Sequence, residues 1–250
     1  MLPCDPLLSL PEVATPEPDC GPRHVDIWWW PYNAEINWDK ICSQLTPDEQ
    51  TRATTCHFEK DAIAFMAGRY LQRSVLSRYT SIPPQDLDIV VDPHGKPYLA
   101  DTGVAFNLTN TEGLAAVAIS GTAKMLGIDA EPVGTAIEPG ASSLFCSSAE
   151  LEILSALQGS ERQSLLLSYW TLKESFLKAV GTGVIAPPDQ LNIRLDRMAN
   201  TVRIDTVLTA DDKGWHHRLL SAPSGHLIAV SAQLDQVELR LRQRQLPDPL

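Results

Sequence analysis

The chain has 250 residues, 44% hydrophobic and 20% charged, and 31 acidic against 20 basic side chains leave a formal charge of −11. That length fits one large domain or two small ones, and the composition excludes a disordered chain, a collagen-like fibre and a coiled coil. The acid excess argues against a nucleic-acid binder, because neutralising phosphates needs a basic surface; a local basic pocket for one phosphorylated ligand stays open.

Residues 1–22 interleave six prolines with acids and read as an extended tail. Val25–Trp30 reads as a first strand, bounded by Pro31. Thr46-Pro47-Asp48-Glu49 is a helix start, with a capping threonine, proline at the first helical position and acids in the first turn. A longer helix is expected from about Lys60 to Tyr79, where Ala64, Ala67, Leu71, Val75 and Leu76 recur at helical spacing. Leu87–Val91, Val104–Leu108 and Leu114–Ser120 read as strands, with a turn over Asp92–Pro97. Gly121–Lys124 is a candidate hinge, after which Met125–Glu131 reads as a strand stopped by Pro132. Ser148–Ala156 and Ser164–Val180 read as helices, and Asn192–Leu241 returns to strands. Strands and helices mix without regular βαβ alternation, so the fold class is α+β, and no internal sequence repeat is evident.

The five cysteines, Cys4, Cys20, Cys42, Cys56 and Cys146, are odd in number and contain no C-x-x-C spacing. This argues against a disulfide framework or a structural zinc site and favours a reducing cytoplasm. The start of the chain lacks a basic segment followed by an apolar run, and Leu114–Ile119 is too short to span a bilayer, so neither a secretory leader nor a membrane role is expected.

Several constellations can carry chemistry, and each also has a plain reading. In a strand, Asp129 and Glu131 share a face, with Ile128 and Ala130 on the other. Two such carboxylates suit Mg²⁺, although an exposed alternating edge strand gives the same spacing. On a helix Glu174 and Lys178 share a face one turn beyond Trp170, with Tyr169, Leu172, Phe176 and Val180 as the buried stripe; Glu followed by Lys at i+4 equally fits a solvated ion pair. Gly181 and Gly183 suit a helix end and a loop close to a ligand. His94-Gly95-Lys96-Pro97 offers a lysine point charge for phosphate, or is a plain surface turn. Phe106–Thr111 runs from a strand into polar groups able to donate to an anion, or merely closes a hairpin. Arg69 and Arg73 share a helical face, with Arg52, Lys60 and Arg78 nearby in sequence, and can equally be scattered surface charges.

No single motif decides between these readings, but their order does. H-G-K-P, F-N-L-T-N-T, G-I-D-A-E and W-T-L-K-E-S-F-L-K-A-V-G-T-G, in this sequence and spacing from Trp28 to Val230, resemble the 4′-phosphopantetheinyl transferase superfamily. The resemblance is to its larger, monomeric two-domain subclass, typified by the surfactin-synthetase activator. It implies two similar α+β halves forming a pseudo-dimer, with coenzyme A in the cleft between them. The expected division is a tail at 1–22, a first half at 23–121 with coenzyme A contacts, and a second half at 122–250 with the metal and chemical groups. The implied activity is transfer of the phosphopantetheine arm of coenzyme A to a serine of an acyl or peptidyl carrier protein.

Carried over position by position, the resemblance implies Asp129, Glu131 and Glu174 as Mg²⁺ ligands, with Glu174 also the candidate general base. It implies Lys178 at the pyrophosphate, and Gly95, Lys96 and Pro97 with Thr109 and Asn110 as coenzyme A contacts. Arg52 matches a basic residue at the adenosine 3′-phosphate. The chain departs from the family in one place. Thr109-Asn110 stands where many members have Ser-His, and asparagine donates a neutral hydrogen bond without charge. A weaker preference for the 3′-phosphate is therefore expected, with Arg52 or Arg69 as the compensating charge. Rival readings are a metal-dependent phosphohydrolase, a coenzyme A-binding or carrier-docking module without transfer activity, and an adaptor using the proline-rich tail.

Overall fold

The computed structural model describes residues 24–138, 140–181, 187–196, 201–206, 208–209, 213–222, 224–235 and 239–247. The tail at 1–22 and Gly183 lie outside the described residues.

The first half begins with β1 (His24–Pro31), followed by α1 (Trp38–Ser43), α2 (Pro47–Thr54) and α3 (Glu59–Thr80). A 3-10 turn (Pro84–Asp86), a short hairpin of β2 (Ile89–Val91) and β3 (Pro97–Leu99), and the pair β4 (Ala105–Thr111) and β5 (Leu114–Ser120) complete it. The second half repeats the plan. After β6 (Met125–Pro132) come α4 (Ser142–Phe145), α5 (Ser148–Ser155) and α6 (Gly159–Val180). A 3-10 turn (Pro188–Gln190), β7 (Asn192–Asp196) and β8 (Thr201–Asp205), and the pair β9 (Trp215–Ala222) and β10 (His226–Gln233) follow. In each half the first strand pairs antiparallel with the last, which pairs antiparallel with its predecessor: β1–β5–β4 and β6–β10–β9. The fold is α+β in two similar halves, although no sequence repeat marks it.

The layers run helix, sheet, sheet, helix. Trp28, Trp30, Ala115 and Val117 face α3, whereas Ile27, Trp29, Ala116 and Ala118 on the alternate positions meet Ile128, Ala130, Ile228 and Val230 of the other sheet. The central strands are buried on both faces, so β1 and β5 are nearly continuous apolar runs and do not alternate. The residues on the outer face of the second sheet, among them Leu219, Leu227 and Ala229, pack beneath Leu165 and Leu172 of α6.

The helix starts at Thr46 and Ser147 are both full capping boxes, and in both the box glutamate does a second job. Glu49 accepts from Arg73 of α3 at 2.8 Å, and Arg73 donates onward to the carbonyls of Pro84 and Leu87. Glu150 lies 2.6 Å from the ammonium of Lys173 of α6, with neither side chain exposed, and Lys173 donates onward to the carbonyls of Phe145, Pro188 and Leu191. Each half therefore ties its capping helix, its 22-residue helix and its 3-10 turn together through its box glutamate, which in the first half also lies 3.7 Å from Arg69.

Three differences from expectation have local causes. The run Phe106–Thr111 is strand throughout, and the turn falls on Glu112-Gly113, where Gly113 takes φ of +76°. Helix α6 starts five residues before Ser164, at Gly159, because its start has no side-chain cap to mark it. The last strand, β11 (Arg240–Gln245), pairs parallel with β1 and so lies in the first sheet, not in the half at 122–250 to which position assigned it. Asp26 of β1, only 1% exposed, accepts from Arg242 at 2.6 and 2.9 Å, which anchors that strand.

Breaking a buried ion pair from one side costs about 3–5 kcal/mol, because the surviving charge stays buried. Lys173→Met is therefore expected to lower the urea midpoint strongly, and the double variant with Glu150→Leu to recover part of the loss. Equal loss in the single and double variants would contradict this account of the pair.

Candidate active site on the seam between the halves

The two sheets meet along their edge strands β4 and β6. Strand β6 is an edge in its own sheet, as spacing suggested, yet most of it is buried because the first half covers it. Asn107 of β4 reaches across and accepts the backbone N–H of Ile128 at 2.9 Å. An edge donor that would otherwise be unpaired is thereby satisfied from the other half.

Gly127 sets the distance between β6 and α6. A methyl group at this position would lie 2.0 Å from the carbonyl oxygen of Ser175 and 2.4 Å from the nitrogen of Ala179. Only hydrogen fits there, and the close approach brings the α6 turn bearing Glu174 and Lys178 against Asp129 and Glu131.

Lys178 does not pair with Glu174 along its own helix. Its ammonium lies 2.6 Å from Asp129 Oδ1 and 3.2 Å from Thr109 Oγ1, and the Thr109 hydroxyl also donates to Asp129 at 3.3 Å. Three elements, β4, β6 and α6, meet at this point. Asp129 is 5% exposed, and its second oxygen, Oδ2, is buried without a hydrogen-bond partner. Glu131 accepts from the indole N–H of Trp170 at 3.0 Å. Burial raises the carboxyl pKa of Asp129, Glu131 and Glu174 above the ordinary range; for Glu174 the charge of Asp129 adds to the effect, and Lys178 opposes it at all three.

Of these groups Trp170, Glu174 and Lys178 line a cleft of 440 Å³, whose other wall is the His94–Pro97 turn and Leu108, while Asp129 and Thr109 lie behind Lys178. Gly95 takes φ of +88° there, and Asp92 Oδ1 accepts from the backbone N–H groups of His94 and Lys96. The Lys96 ammonium is turned onto the carbonyls of Leu126 and Ala179, at 3.1 and 2.9 Å, and burial pushes its pKa down to about 8. Lys96 is thus a clasp between the halves, and its stem lines the cleft. Pro97 and Leu108 also wall a second cavity of 380 Å³ that holds Arg69, Phe65, Gly68 and the exposed Asn110. Arg52 is exposed outside this cavity, and its guanidinium and that of Arg69 both lie over the Phe65 ring, at 5.6 and 5.5 Å. A groove of 790 Å³ elsewhere, between α5, α6 and β7–β8, contains none of these candidates.

The structure therefore brings together Thr109, Asp129, Glu131, Glu174 and Lys178, sets Gly95, Lys96 and Pro97 on the opposite wall, and leaves Asn110 and Arg52 at the far end. Sequence reasoning gave no role to three residues that hold this arrangement: Gly127, Trp170 and Lys173. All three stand inside quoted motifs, but their partners lie on other elements. Among the described residues, no three acid, imidazole or thiol groups converge closely enough to ligate one metal ion. The donor set still fits a hard dication: carboxylates that repel one another and one orphaned buried oxygen.

A largely buried cluster of acids and one lysine thus lies beside a cleft on the seam between the halves. Residues 125–231 match the 4′-phosphopantetheinyl transferase superfamily, and residues 28–122 match the N-terminal domain of 4′-phosphopantetheinyl transferases. The chain is 32% identical over 177 residues to the 4′-phosphopantetheinyl transferase HetI of Nostoc, covering 68% of this chain and 74% of that protein. It is 27% identical over 172 residues to the 4′-phosphopantetheinyl transferase Sfp of Bacillus subtilis, covering 66% and 72%. The holo-[acyl-carrier-protein] synthase of Thermotoga maritima aligns over 45% of this chain and 64% of its own, at 17% identity and a TM-score of 0.36. The chain belongs to the 4′-phosphopantetheinyl transferase superfamily.

A glutamate whose folded pKa lies above its unfolded value of 4.5 binds more protons folded than unfolded, so its contribution to stability falls as pH rises through that window. Glu174→Gln is accordingly expected to melt higher than the parent protein at pH 8, with the gap closing toward pH 5. Thermal melts at the two pH values check this, and an unchanged gap contradicts it.

Proposed function

We propose that the protein transfers the 4′-phosphopantetheine arm of coenzyme A to a serine of an acyl or peptidyl carrier protein, releasing adenosine 3′,5′-bisphosphate. The observation that carries this reading is the contact of Lys178 with Asp129 and Thr109 beside a cleft lined by Glu174 and Lys178, next to a second cavity that shares the walls Pro97 and Leu108 and holds Arg69 and Asn110. Lys178 in the first cavity and Arg69 in the second suit a ligand with a diphosphate at one end and a further phosphate at the other.

Asp129, Glu131 and Glu174 would have to close together to hold Mg²⁺, which supplies Lewis-acid neutralisation of diphosphate oxygens when bound. In the reaction the serine oxygen bonds to the β-phosphorus, and the bond from that phosphorus to the bridging oxygen breaks. Such transfer depends on positioning and charge more than on covalent work by the protein. Glu174, which lines the cleft beside Lys178, is placed to take the serine proton. Lys178 contributes positive charge beside the diphosphate being cleaved, whose 5′-phosphate leaves with adenosine. Gly95, Lys96 and Pro97 serve the ligand through backbone and stem, since the Lys96 ammonium is committed to two carbonyls. At the second cavity Arg69, which donates to Gln72 at 2.8 Å and lies 3.7 Å from Glu49, is the cation that lines the wall, whereas Arg52 lies outside it, and Asn110 adds a neutral donor.

One chain supplies both sides of the cleft, so we infer a monomer. No described helix is long and apolar enough to cross a membrane, and the cysteines described, Cys42, Cys56 and Cys146, are free thiols, which supports the cytoplasmic reading.

The test is intact-protein mass spectrometry of apo carrier proteins incubated with the protein, coenzyme A and Mg²⁺. The expected result is a carrier gain of about 340 Da, the arm's mass when a serine has acted as nucleophile. Asp129→Ala and Glu174→Ala are expected to fold and to lose the gain, and Arg69→Leu to narrow the preference for coenzyme A over its 3′-dephospho form. Free pantetheine phosphate with no carrier gain would point to a phosphohydrolase, and binding without turnover to a binding module.

A further inference from the structure

The contact between Lys178 and Asp129 has a consequence for how ligands enter. The Lys178 ammonium is within ion-pair distance of the one carboxylate of the three that is almost fully buried. Asp129 Oδ1 takes both the ammonium and the Thr109 hydroxyl, while Oδ2 is the buried oxygen without a partner. A dication bound to Asp129 would stand beside a fixed ammonium of the same sign, and like charges at that separation repel strongly in a half-buried site. Lys178 must then leave Asp129. Its side chain is 32% exposed and lines the cleft, where Glu174, one turn back on α6, would itself be drawn to the cation. Glu131 is already held by Trp170 and would itself be drawn to the cation.

We propose that Lys178 is the resident counter-ion of Asp129, and that the site takes its divalent cation together with a diphosphate and not alone. The diphosphate gives the ammonium a new partner and frees Asp129 for the cation. Cation and diphosphate then bind with positive coupling, and the coupling is reciprocal, each raising the affinity of the other by the same factor. This rests on the reading of the site as one for a diphosphate ligand.

The experiment is Mn²⁺ binding to the full chain, read from the disappearance of the free-ion electron paramagnetic resonance signal, with and without coenzyme A. The parent protein is expected to bind Mn²⁺ weakly by itself and about ten-fold or more tightly with coenzyme A present. Lys178→Met removes the charge and keeps the length of the stem. It is expected to bind Mn²⁺ about ten-fold more tightly than the parent in the absence of coenzyme A, with a smaller further gain on adding it. Lys178→Arg keeps the charge and is expected to bind Mn²⁺ as the parent does. A folded Lys178→Met that binds Mn²⁺ no better than the parent overturns the proposal, as does a parent affinity indifferent to coenzyme A that nonetheless binds. Calorimetry that finds no coenzyme A binding to the parent at any Mn²⁺ concentration sinks the functional reading instead. The comparison of Mn²⁺ affinities without coenzyme A still reads the ion-pair competition in that case.

Discussion

Helix α6 lies so close to β6 that a single hydrogen atom, on the α-carbon of Gly127, fills the space between them. Much of the site follows from that contact. Asp129 is two residues further along the same face of β6, and Glu174 and Lys178 flank the turn of α6 that presses on Gly127. Any larger residue at 127 moves the helix as a body, because the clash is with backbone atoms and not with the end of a flexible side chain. The site groups on α6 and those on β6 thus share one spacer.

A close contact sets geometry only if both sides are stiff. On the strand side, β6 pairs with β10 along its full length and receives Asn107 from the first half. On the helix side, Lys173 draws the middle of α6 onto Glu150, the 3-10 turn and the end of α4, in a place from which water is excluded. A second tie joins the hydroxyls of Ser175 and Ser231 at 2.8 Å, with His217 Nδ1 at 2.9 Å from Ser231. Burial pushes the His217 pKa down to about 3, so this chain is neutral at working pH. Buried polar groups of this kind add little net stability but specify one arrangement of the helix over its neighbours. Lys96 then closes the first half onto the same place, through carbonyls of β6 and α6.

Much of the fold was legible because local chemistry and global structure agree. The two capping boxes, the helical spacing over Lys60–Tyr79 and the apolar runs at Val25–Trp30 and Leu114–Ser120 each form the element their pattern dictates. Helix α1 went unread although Asn37 caps it, since six residues give too short a period to recognise. The strand region read from the sequence stopped at Leu241, within Arg240–Gln245, and the place of that strand beside β1 depends on a buried aspartate more than 200 positions away. The duplication was hidden because its halves share roles and not residues: arginine in one ion pair, lysine in the other. At the site, spacing put Asp129 with Glu131 and Glu174 with Lys178, which was right for the faces. It could not give the partner of Lys178, because i+4 spacing describes one helix while the competing carboxylate lies on a strand 49 residues away. For the same reason Lys96, read as a phosphate-binding charge in a turn, turned out to grip two carbonyls.

The most direct test of this account is the transfer rate of Gly127→Ala, measured beside its circular dichroism spectrum and melting temperature. Overpacking at one methyl costs about 1–3 kcal/mol, so the variant is expected to stay folded at 25 °C and melt lower. Because a misplacement of roughly 1 Å at a reacting centre costs about 100-fold, its rate is expected to fall by at least that much. A folded Gly127→Ala that transfers at the parent rate would contradict the claim that the contact between α6 and β6 sets the geometry of the site.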